Sequence, residues 1–361
     1  MRQTYIDTAR ALRERLHAVP ELAFHETETK RVLLDFLRRE TDLTGIDRGE
    51  WFCAVCEAGG TPIALRADFD AVAGADGAPG HFCGHDGHAA ALAAFGKYLS
   101  ENRPPRTVWL VFQPAEEIGA GAALCAPFLA EKGIREVYGW HNIPGHAMGH
   151  ILLTEGTFAC ASTGLEITLR GKPSHAAYPE DGVNPARCAA GLVERMHELL
   201  ARPHRGMVLG TVIGIELGSA AYGVSASEGV VRLTLRAEYG DEFEAFVSEM
   251  KRAAETGAAA EGLICGIREI ERFAATENTP ECARKLERAA RAADLPAEWL
   301  KTPFRWSEDF GTFLTACPGA FFGIGDGEDW PQLHTDGYHF PDWIFPAALK
   351  MLRQIVTMET V

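Results

Sequence analysis

Apolar positions recur at two spacings in the first part of the chain, and each spacing predicts a different element. Helical spacing before Pro20 and over Thr27 to Leu37 predicts two amphipathic helices. Short apolar runs at 62–67 and 107–112 end in charged residues and predict strands, with an alanine-rich helix at 88–99 between them. Strand, helix, strand is typical of a parallel sheet, where reactive groups gather beyond the carboxyl ends of the strands.

From about residue 163 the pattern changes to alternating polar and apolar positions, which predicts half-buried strands and a smaller α+β domain laid into the chain. Strands are expected at 164–169, 208–216 and 230–238, and helices at 185–200 and 242–256. A helix is expected at 280–293, where the pattern of the first part of the chain returns. The expected domains are therefore residues 1–162 with 274–361, interrupted by residues 163–273.

Composition and charge argue against several classes of protein. The chain has 361 residues and a formal net charge of −15, which would repel a nucleic acid backbone. Nine scattered cysteines, an odd number, argue against a secreted disulfide framework. Charged residues interrupt the first 24 positions, and no apolar run approaches the roughly 20 residues of a membrane helix. We expect a cytoplasmic protein with no nucleic acid or membrane partner.

Four patches carry residues of the kind that bind zinc and its first-row neighbours. Taken singly, a buried cysteine, a hydrogen-bonded histidine or a surface glutamate pair is more often structural. Their coincidence favours a metal site, because each histidine has small or polar neighbours and the carboxylate pair ends an apolar strand. The patches are 83–88, with Cys83 and His85 two apart before the predicted helix, Glu116-Glu117, 140–142 with His141, and 333–335 with His334.

Adjacent glutamates suit a metal hydrolase. One can bind the ion while its neighbour takes a proton from the attacking water. Consecutive strand residues point to opposite faces, so the two share a site only beyond the strand end, where Pro114 breaks the strand. Attack on a carbonyl also needs a donor for the developing oxyanion. His175, in a loop of the smaller domain, is a candidate, and an ordinary turn histidine is an equal alternative.

In this order, the motifs resemble those of the zinc or manganese-dependent amidohydrolase family of aminoacylases, hippurate hydrolases and auxin-conjugate hydrolases, a branch of the co-catalytic metallopeptidases. The similarity extends over nearly the whole chain. It rests on Leu16 to Leu22, Leu65 to Ala71, His81 to His88, Phe112 to Glu117, His141-Asn142, Gly171 to Ala177, Ser307 to Phe310 and Leu333-His334.

The resemblance implies an αβα catalytic domain with a mostly parallel sheet, interrupted by a lid domain that forms a homodimer. It implies that Glu116 is the general base and that Asp70 orients the site. It also implies that His175 reaches an active site to stabilise the tetrahedral intermediate. The implied metal ligands, for two divalent ions, are Cys83, His85, Glu117, His141 and His334.

The chain also departs from the family pattern. The loop at 72–80 is short, and the segment usually written Asn-Val-Ile-Pro is Tyr222-Gly223-Val224-Ser225 here. Arg236 stands where the family tends to have arginine. Arg236 and Tyr222 are therefore the candidate substrate contacts, and both departures bear on specificity rather than on chemistry.

The expected activity is metal-dependent hydrolysis of the amide bond of N-acyl amino acids or related small linear amides. A dipeptidase or carboxypeptidase with the same site is the alternative, and a non-catalytic small-molecule-binding protein of the same fold is the second. Zinc suits the thiolate and manganese suits the glutamates, while cobalt and nickel also fit such donors. The acyl group, the amino acid and the oligomeric state are not determined by the sequence.

Overall fold

A computed structural model describes residues 1–359, and the chain as far as Phe158 builds most of a first compact unit. Two amphipathic helices open this unit and bury one face each, as their apolar spacing predicts. The elements are α1 (Gln3–His17), α2 (Thr27–Glu40), β1 (Thr44–Asp47), β2 (Phe52–Cys56), β3 (Ile63–Asp68), β4 (Val72–Ala73), β5 (Pro79–Gly80), α3 (His85–Glu101), β6 (Val108–Gln113), α4 (Gly121–Cys125), α5 (Pro127–Glu131), β7 (Glu136–Pro144) and β8 (Ile151–Leu153).

A second compact unit comprises Ala159–Ala275 together with Phe304–Ser307. Its elements are β9 (Ala161–Arg170), β10 (Ser174–His175), α6 (Ala186–Leu200), β11 (Val208–Leu217), β12 (Val224–Ser225), β13 (Glu228–Ala237), α7 (Gly240–Glu261) and β14 (Ile264–Phe273). Four strands form an antiparallel sheet in the order β11-β13-β9-β14. Alternate residues of β13, such as Leu233, are buried in one core with residues of α6 and α7, so one face of the sheet is covered by these helices.

The chain then completes the first unit. The remaining elements are α8 (Pro280–Ala292), β15 (Ala297–Trp299), α9 (Gly311–Ala316), β16 (Gly319–Gly327) and α10 (Phe345–Thr357). The large sheet has the order β1-β2-β6-β3-β7-β16-β8-β15. Its four central strands, β6, β3, β7 and β16, run parallel. Their carboxyl ends therefore meet at one edge.

Helices cover both faces of this sheet. Leu110 of β6 belongs to the core that includes Phe95 of α3. Its neighbour Trp109 points to the opposite face and packs edge-on against Phe128 of α5, with ring centroids 4.9 Å apart. The αβα architecture with a mostly parallel sheet is confirmed. Among the described helices, none combines the length and the apolar run that crossing a bilayer requires.

Two local expectations differ from the structure. Helix α3 begins at His85 rather than at residue 88, because Gly84 adopts a left-handed conformation with φ 98° and starts the helix there. His141 lies within strand β7, which the sequence pattern did not predict. All nine residues of β7 are buried, and a strand buried on both faces lacks the alternation that identifies half-buried strands.

Candidate metal centre

A glycine turn places the first two predicted ligands. Gly84 separates Cys83 from His85, and a Cβ atom at this position would lie 2.6 Å from Oδ1 of Asn142. Only glycine therefore allows both the left-handed backbone and this close approach. Cys83 and His85 are both buried, with 7% and 0% of their surface exposed.

The structure brings all five predicted ligands together at the carboxyl edge of the sheet. The Cys83 sulfur lies 3.4 Å from Nε2 of His141. His85 Nε2 lies 3.8 Å from Oε1 of Glu117, and His334 Nε2 lies 3.4 Å from Oε2 of the same glutamate. Three overlapping groups each have their donor atoms within 4.8 Å of one another: Cys83, His85 and His141; Cys83, Glu117 and His334; and His85, Glu116 and Glu117.

Two of the histidines present their Nε2 atoms to this cluster. Nδ1 of His85 lies 3.1 Å from the carbonyl oxygen of Asp70, and Nδ1 of His141 lies 2.7 Å from that of Asn142. A carbonyl oxygen only accepts, so each Nδ1 carries the proton and donates it. In a neutral ring, Nε2 is then the acceptor atom, which is the usual arrangement of metal-binding histidines.

The donor set fits a cation on a further observation. Within residues 1–359, two buried atoms of the cluster, Nε2 of His85 and Oε1 of Glu117, have no hydrogen-bond partner. Buried polar atoms are normally paired. A divalent ion between a thiolate, imidazoles and carboxylates would satisfy both atoms.

The glutamate pair lies on a strained loop after β6. Pro114 ends the strand, and Ala115 has a positive φ of 52°. Oε1 of Glu116 accepts a hydrogen bond from the backbone N–H of Asp309 at 3.2 Å. The N–H of Glu117 donates to Oδ2 of Asp70 at 3.0 Å. Both glutamate side chains are thus positioned beyond the strand end, as the break at Pro114 suggests.

Asp70 contacts two parts of the centre at once. Its Oδ2 accepts from the Glu117 backbone, and its Oδ1 lies 3.2 Å from Nδ1 of His85. The carboxylate therefore fixes a ring and a loop relative to each other. This geometry suits the orienting role expected for Asp70.

Burial and acidic neighbours shift the pKa values of the metal-free centre. Burial lowers the pKa of His85, but Asp68 and Asp70 outweigh it and raise that pKa to about 10. Burial and then Glu308 and Asp309 raise the pKa of Glu116 well above its usual value. Burial, followed by Glu117, also raises the pKa of the Cys83 thiol. A bound cation would reverse the direction for the thiol, because ligand thiols are deprotonated.

His334 differs from the other ligands. Its side chain is 51% exposed, and its backbone has a positive φ of 61°. Its N–H donates to the carbonyl oxygen of Phe82 at 2.8 Å, which links it to the segment before Cys83. This hydrogen bond therefore joins the backbone of His334 to the segment that carries Cys83 and His85.

His88 lies within the 81–88 motif, but the sequence assigns it no role. Its Nδ1 lies 2.6 Å from Oδ1 of Asp68, and its Nε2 lies 2.6 Å from Oδ1 of Asn142. Asn142 is also the residue that packs over Gly84. The signal was the spacing, since residues three apart at the start of a helix share one face, and His88 follows His85 at that spacing.

The other predicted site residues belong to the second unit. His175 lies in β10, is exposed, and its Nδ1 accepts from the N–H of Ala177 at 3.1 Å. Arg236, in β13, donates to the carbonyl oxygen of Arg305 and to the hydroxyl of Ser307. Tyr222 is 99% exposed. Their roles stay predictions.

Comparison with known proteins identifies the family. Residues 64–358 match the model of peptidase family M20/M25/M40. The chain is 27% identical to N-acetylcysteine deacetylase of Bacillus subtilis, over 97% of both chains. It is 28% identical to the IAA-amino acid hydrolase ILR1-like 5 of Arabidopsis thaliana, over 99% of this chain and 87% of that one.

A solved structure shares the fold. It is described as a dinuclear metal-binding peptidase of the M20 family from Bacillus subtilis. The TM-score is 0.82 at 22% identity, over 99% of this chain and 98% of that one. With the family match over residues 64–358, the chain belongs to peptidase family M20/M25/M40 and is a metal-dependent amide hydrolase.

Proposed function

We propose that the protein hydrolyses the amide bond of N-acyl amino acids, using two divalent cations. Cys83, His85, Glu117, His141 and His334 would hold the ions. The observation that carries this proposal is a pair of buried atoms without a hydrogen-bond partner in the described chain, Nε2 of His85 and Oε1 of Glu117. The printed names of the relatives, a deacetylase of N-acetylcysteine and a hydrolase of IAA-amino acids, support the substrate class.

The donor chemistry supports zinc or manganese. The Cys83 thiolate and the imidazoles favour zinc, while two adjacent glutamates also suit manganese, and cobalt or nickel would bind the same set. When bound, such ions polarise a carbonyl and make water acidic enough to lose a proton near neutral pH.

Glu116 is the general base in this proposal. Its Oε1 is fixed by the Asp309 N–H, and its Oε2 lies 3.9 Å from Nε2 of His85, on the side of the ligand cluster. It takes a proton from the attacking water and gives it to the leaving amine. Without metal, burial and then the neighbouring acidic groups raise its pKa. Bound cations would act in the opposite direction and favour the carboxylate that accepts the proton.

The second unit would serve recognition. We assign it the role of lid, with residues 1–162 and 274–361 as the expected catalytic domain. His175 would stabilise the developing oxyanion, and Arg236 and Tyr222 would contact the substrate. The exposed position of His175 and Tyr222 supports this assignment, since groups that meet a substrate must be accessible.

A homodimer through the lid is part of this proposal. Strand β11 is an edge strand of the second unit's sheet. It carries the exposed apolar side chains Ile213, Ile215 and Leu217, and such an edge can pair with another strand. Light scattering of the wild type and of Ile213→Lys tests this arrangement. We expect the wild type to be a dimer and the lysine variant to dissociate more readily.

A reducing compartment, the cytoplasm, fits the cysteines. All nine lie in the described part of the chain and none forms a disulfide. Cys83 must stay reduced to bind a metal ion.

The deciding experiment is hydrolysis of N-acyl amino acids and unblocked dipeptides by purified protein, before and after chelation and metal return. Metal content is read on the same samples. We expect cleavage of N-acyl amino acids that chelation abolishes and metal restores. Preference for unblocked dipeptides would replace this proposal by the dipeptidase alternative, and bound metal without any cleavage would favour a binding protein.

A further inference from the structure

Glu26 is a buried carboxylate that the mechanism above leaves unused. It is 6% exposed and immediately precedes helix α2. Acidic residues at this position often cap a helix with their side chain, but the Glu26 side chain makes no capping hydrogen bond. Instead its Oε1 accepts the backbone N–H of Ala115 at 2.9 Å, across 89 positions of sequence.

Ala115 is a place where such a bond matters. Strand β6 ends at Gln113, and Pro114 has no N–H to donate. Ala115 is fully buried and lies in the left-handed region with φ 52°, which L residues rarely adopt. Its N–H must find a partner inside the protein, and Glu26 supplies it.

The same loop continues directly into Glu116 and Glu117. Other contacts hold it beyond Ala115: the Asp309 N–H binds the side chain of Glu116, and Asp70 binds the N–H of Glu117. The carbonyl oxygen of Ala115 also accepts the N–H groups of Ala120 and Gly121, both at 3.2 Å. The bond to Glu26 holds the N–H of Ala115, on the strand side of the pair. Without it, the buried Ala115 N–H would lack this acceptor, and a shift of the Ala115 peptide toward another acceptor would displace both glutamates.

We infer that Glu26 is a positioning residue, which holds the Glu116-Glu117 loop in its catalytic conformation through the hydrogen bond to Ala115. This inference rests on the proposed function. The Ala115 N–H needs an acceptor oxygen on the Glu26 side chain, but no negative charge. Burial above all, and then Asp70 and Glu21, disfavours that charge and raises the pKa of Glu26 to about 7. A neutral amide oxygen would serve equally well.

The test compares two substitutions of similar length. Glu26→Gln keeps an oxygen acceptor, and we expect kcat close to that of the wild type. Glu26→Met fills the same space without the acceptor. We expect kcat to fall about 10- to 100-fold with little change in KM, because small displacements of catalytic groups cost this much.

A neighbouring glutamate provides the control for general disturbance of the fold. Glu21 accepts hydrogen bonds from the N–H groups of Glu28 and Thr29 at the start of α2, and its side chain makes none to the glutamate loop in the described structure. Glu21→Met should lower the melting temperature and leave kcat unchanged. A structural role alone would make Glu26→Met behave like Glu21→Met.

The absorption spectrum of the cobalt(II)-substituted protein gives a readout without substrate. Glu26→Met should change the ligand-field bands or weaken cobalt binding, since Glu117 is displaced, whereas Glu26→Gln and Glu21→Met should not. Inactive wild-type protein would refute the proposed function. The cobalt spectra would still test whether Glu26 positions the glutamate loop. Wild-type spectrum and kcat in Glu26→Met, or equal losses in the Met and Gln variants, would overturn the inference. If Glu26→Met does not fold, Glu26→Asp, which withdraws the acceptor by one methylene, must show the same direction of change.

Discussion

The predicted site residues of the two units differ in how firmly they are held. In the first unit, His85 and His141 are buried, and each has its second ring nitrogen bound to a carbonyl oxygen. In the second unit, His175 and Tyr222 are exposed, and the recorded side-chain bond of His175 is to its own loop. Chemistry that needs fixed geometry thus lies on packed, buried side chains, while His175 and Tyr222 are open to solvent.

The sharpest test of this division is Glu116→Gln. The amide cannot take the proton of the attacking water, so kcat should fall about 10²- to 10⁴-fold. Metal content should stay that of the wild type, because Glu116 is not among the five proposed ligands. Measured turnover near the wild-type value would contradict the role of Glu116, and loss of metal would make it a ligand.

The loss of unfolding free energy on removal of an ion-paired arginine should also differ strongly between the two units. The Arg66 side chain is 1% exposed and binds Asp68 and Asp309, so Arg66→Met should cost about 3–5 kcal/mol of unfolding free energy. Arg232, in the second unit, also binds two carboxylates but is 36% exposed. Arg232→Met should cost much less, because exposed ion pairs are solvated and contribute little to stability.

Urea titration of both arginine variants checks this prediction. Equal losses would mean that burial does not distinguish the two networks.

His175→Ala tests whether the second unit takes part in the chemistry. Removal of a donor to the developing oxyanion costs about 10²- to 10³-fold in kcat, and we expect a loss of this size without loss of metal. Steady-state kinetics with metal analysis gives the answer. Unchanged kinetics would return His175 to an ordinary turn histidine.

Asp70→Asn should have a smaller effect, seen in metal affinity. The amide keeps one acceptor oxygen, so it cannot serve both His85 and the N–H of Glu117. Loss of such a supporting partner lowers metal affinity about 10- to 100-fold. Competition with a chelator of known affinity measures this change, and wild-type affinity would show that Asp70 does not orient the ligands.

The smallest effect is expected for Tyr222→Ala. Because the side chain is 99% exposed, the unfolding free energy should change by less than about 0.5 kcal/mol. KM should rise while kcat is retained, if Tyr222 contacts the substrate. An unchanged KM across the substrate panel would remove Tyr222 from the candidate contacts.

The sequence predicts elements whose signal is local. The half-buried strands of the second unit and the helices are found close to their predicted positions, and the motifs indicate which residues carry the chemistry. Strand β7 is not predicted from the sequence, because it is buried along its whole length and shows no alternation of polar and apolar residues. His141 was therefore recognised as a candidate ligand without its strand.

The long-range hydrogen bonds around the site are not predicted from the sequence, for another reason. Arg66 binds Asp309 across 243 positions, and Glu26 binds Ala115 across 89. A charged residue in an apolar run indicates a buried partner, but only the strand order decides which partner it meets. Pairings of this kind follow from topology and cannot be obtained from local spacing.

The position of β16 in the sheet has a consequence for biosynthesis. This strand lies between β7 and β8, although it follows them in sequence by the whole of the second unit. During synthesis the second unit can fold as it emerges, while the central sheet of the first unit waits for residues 319–327. Four of the five proposed ligands precede the second unit, so a complete metal centre forms only after the ribosome has made the segment that carries His334.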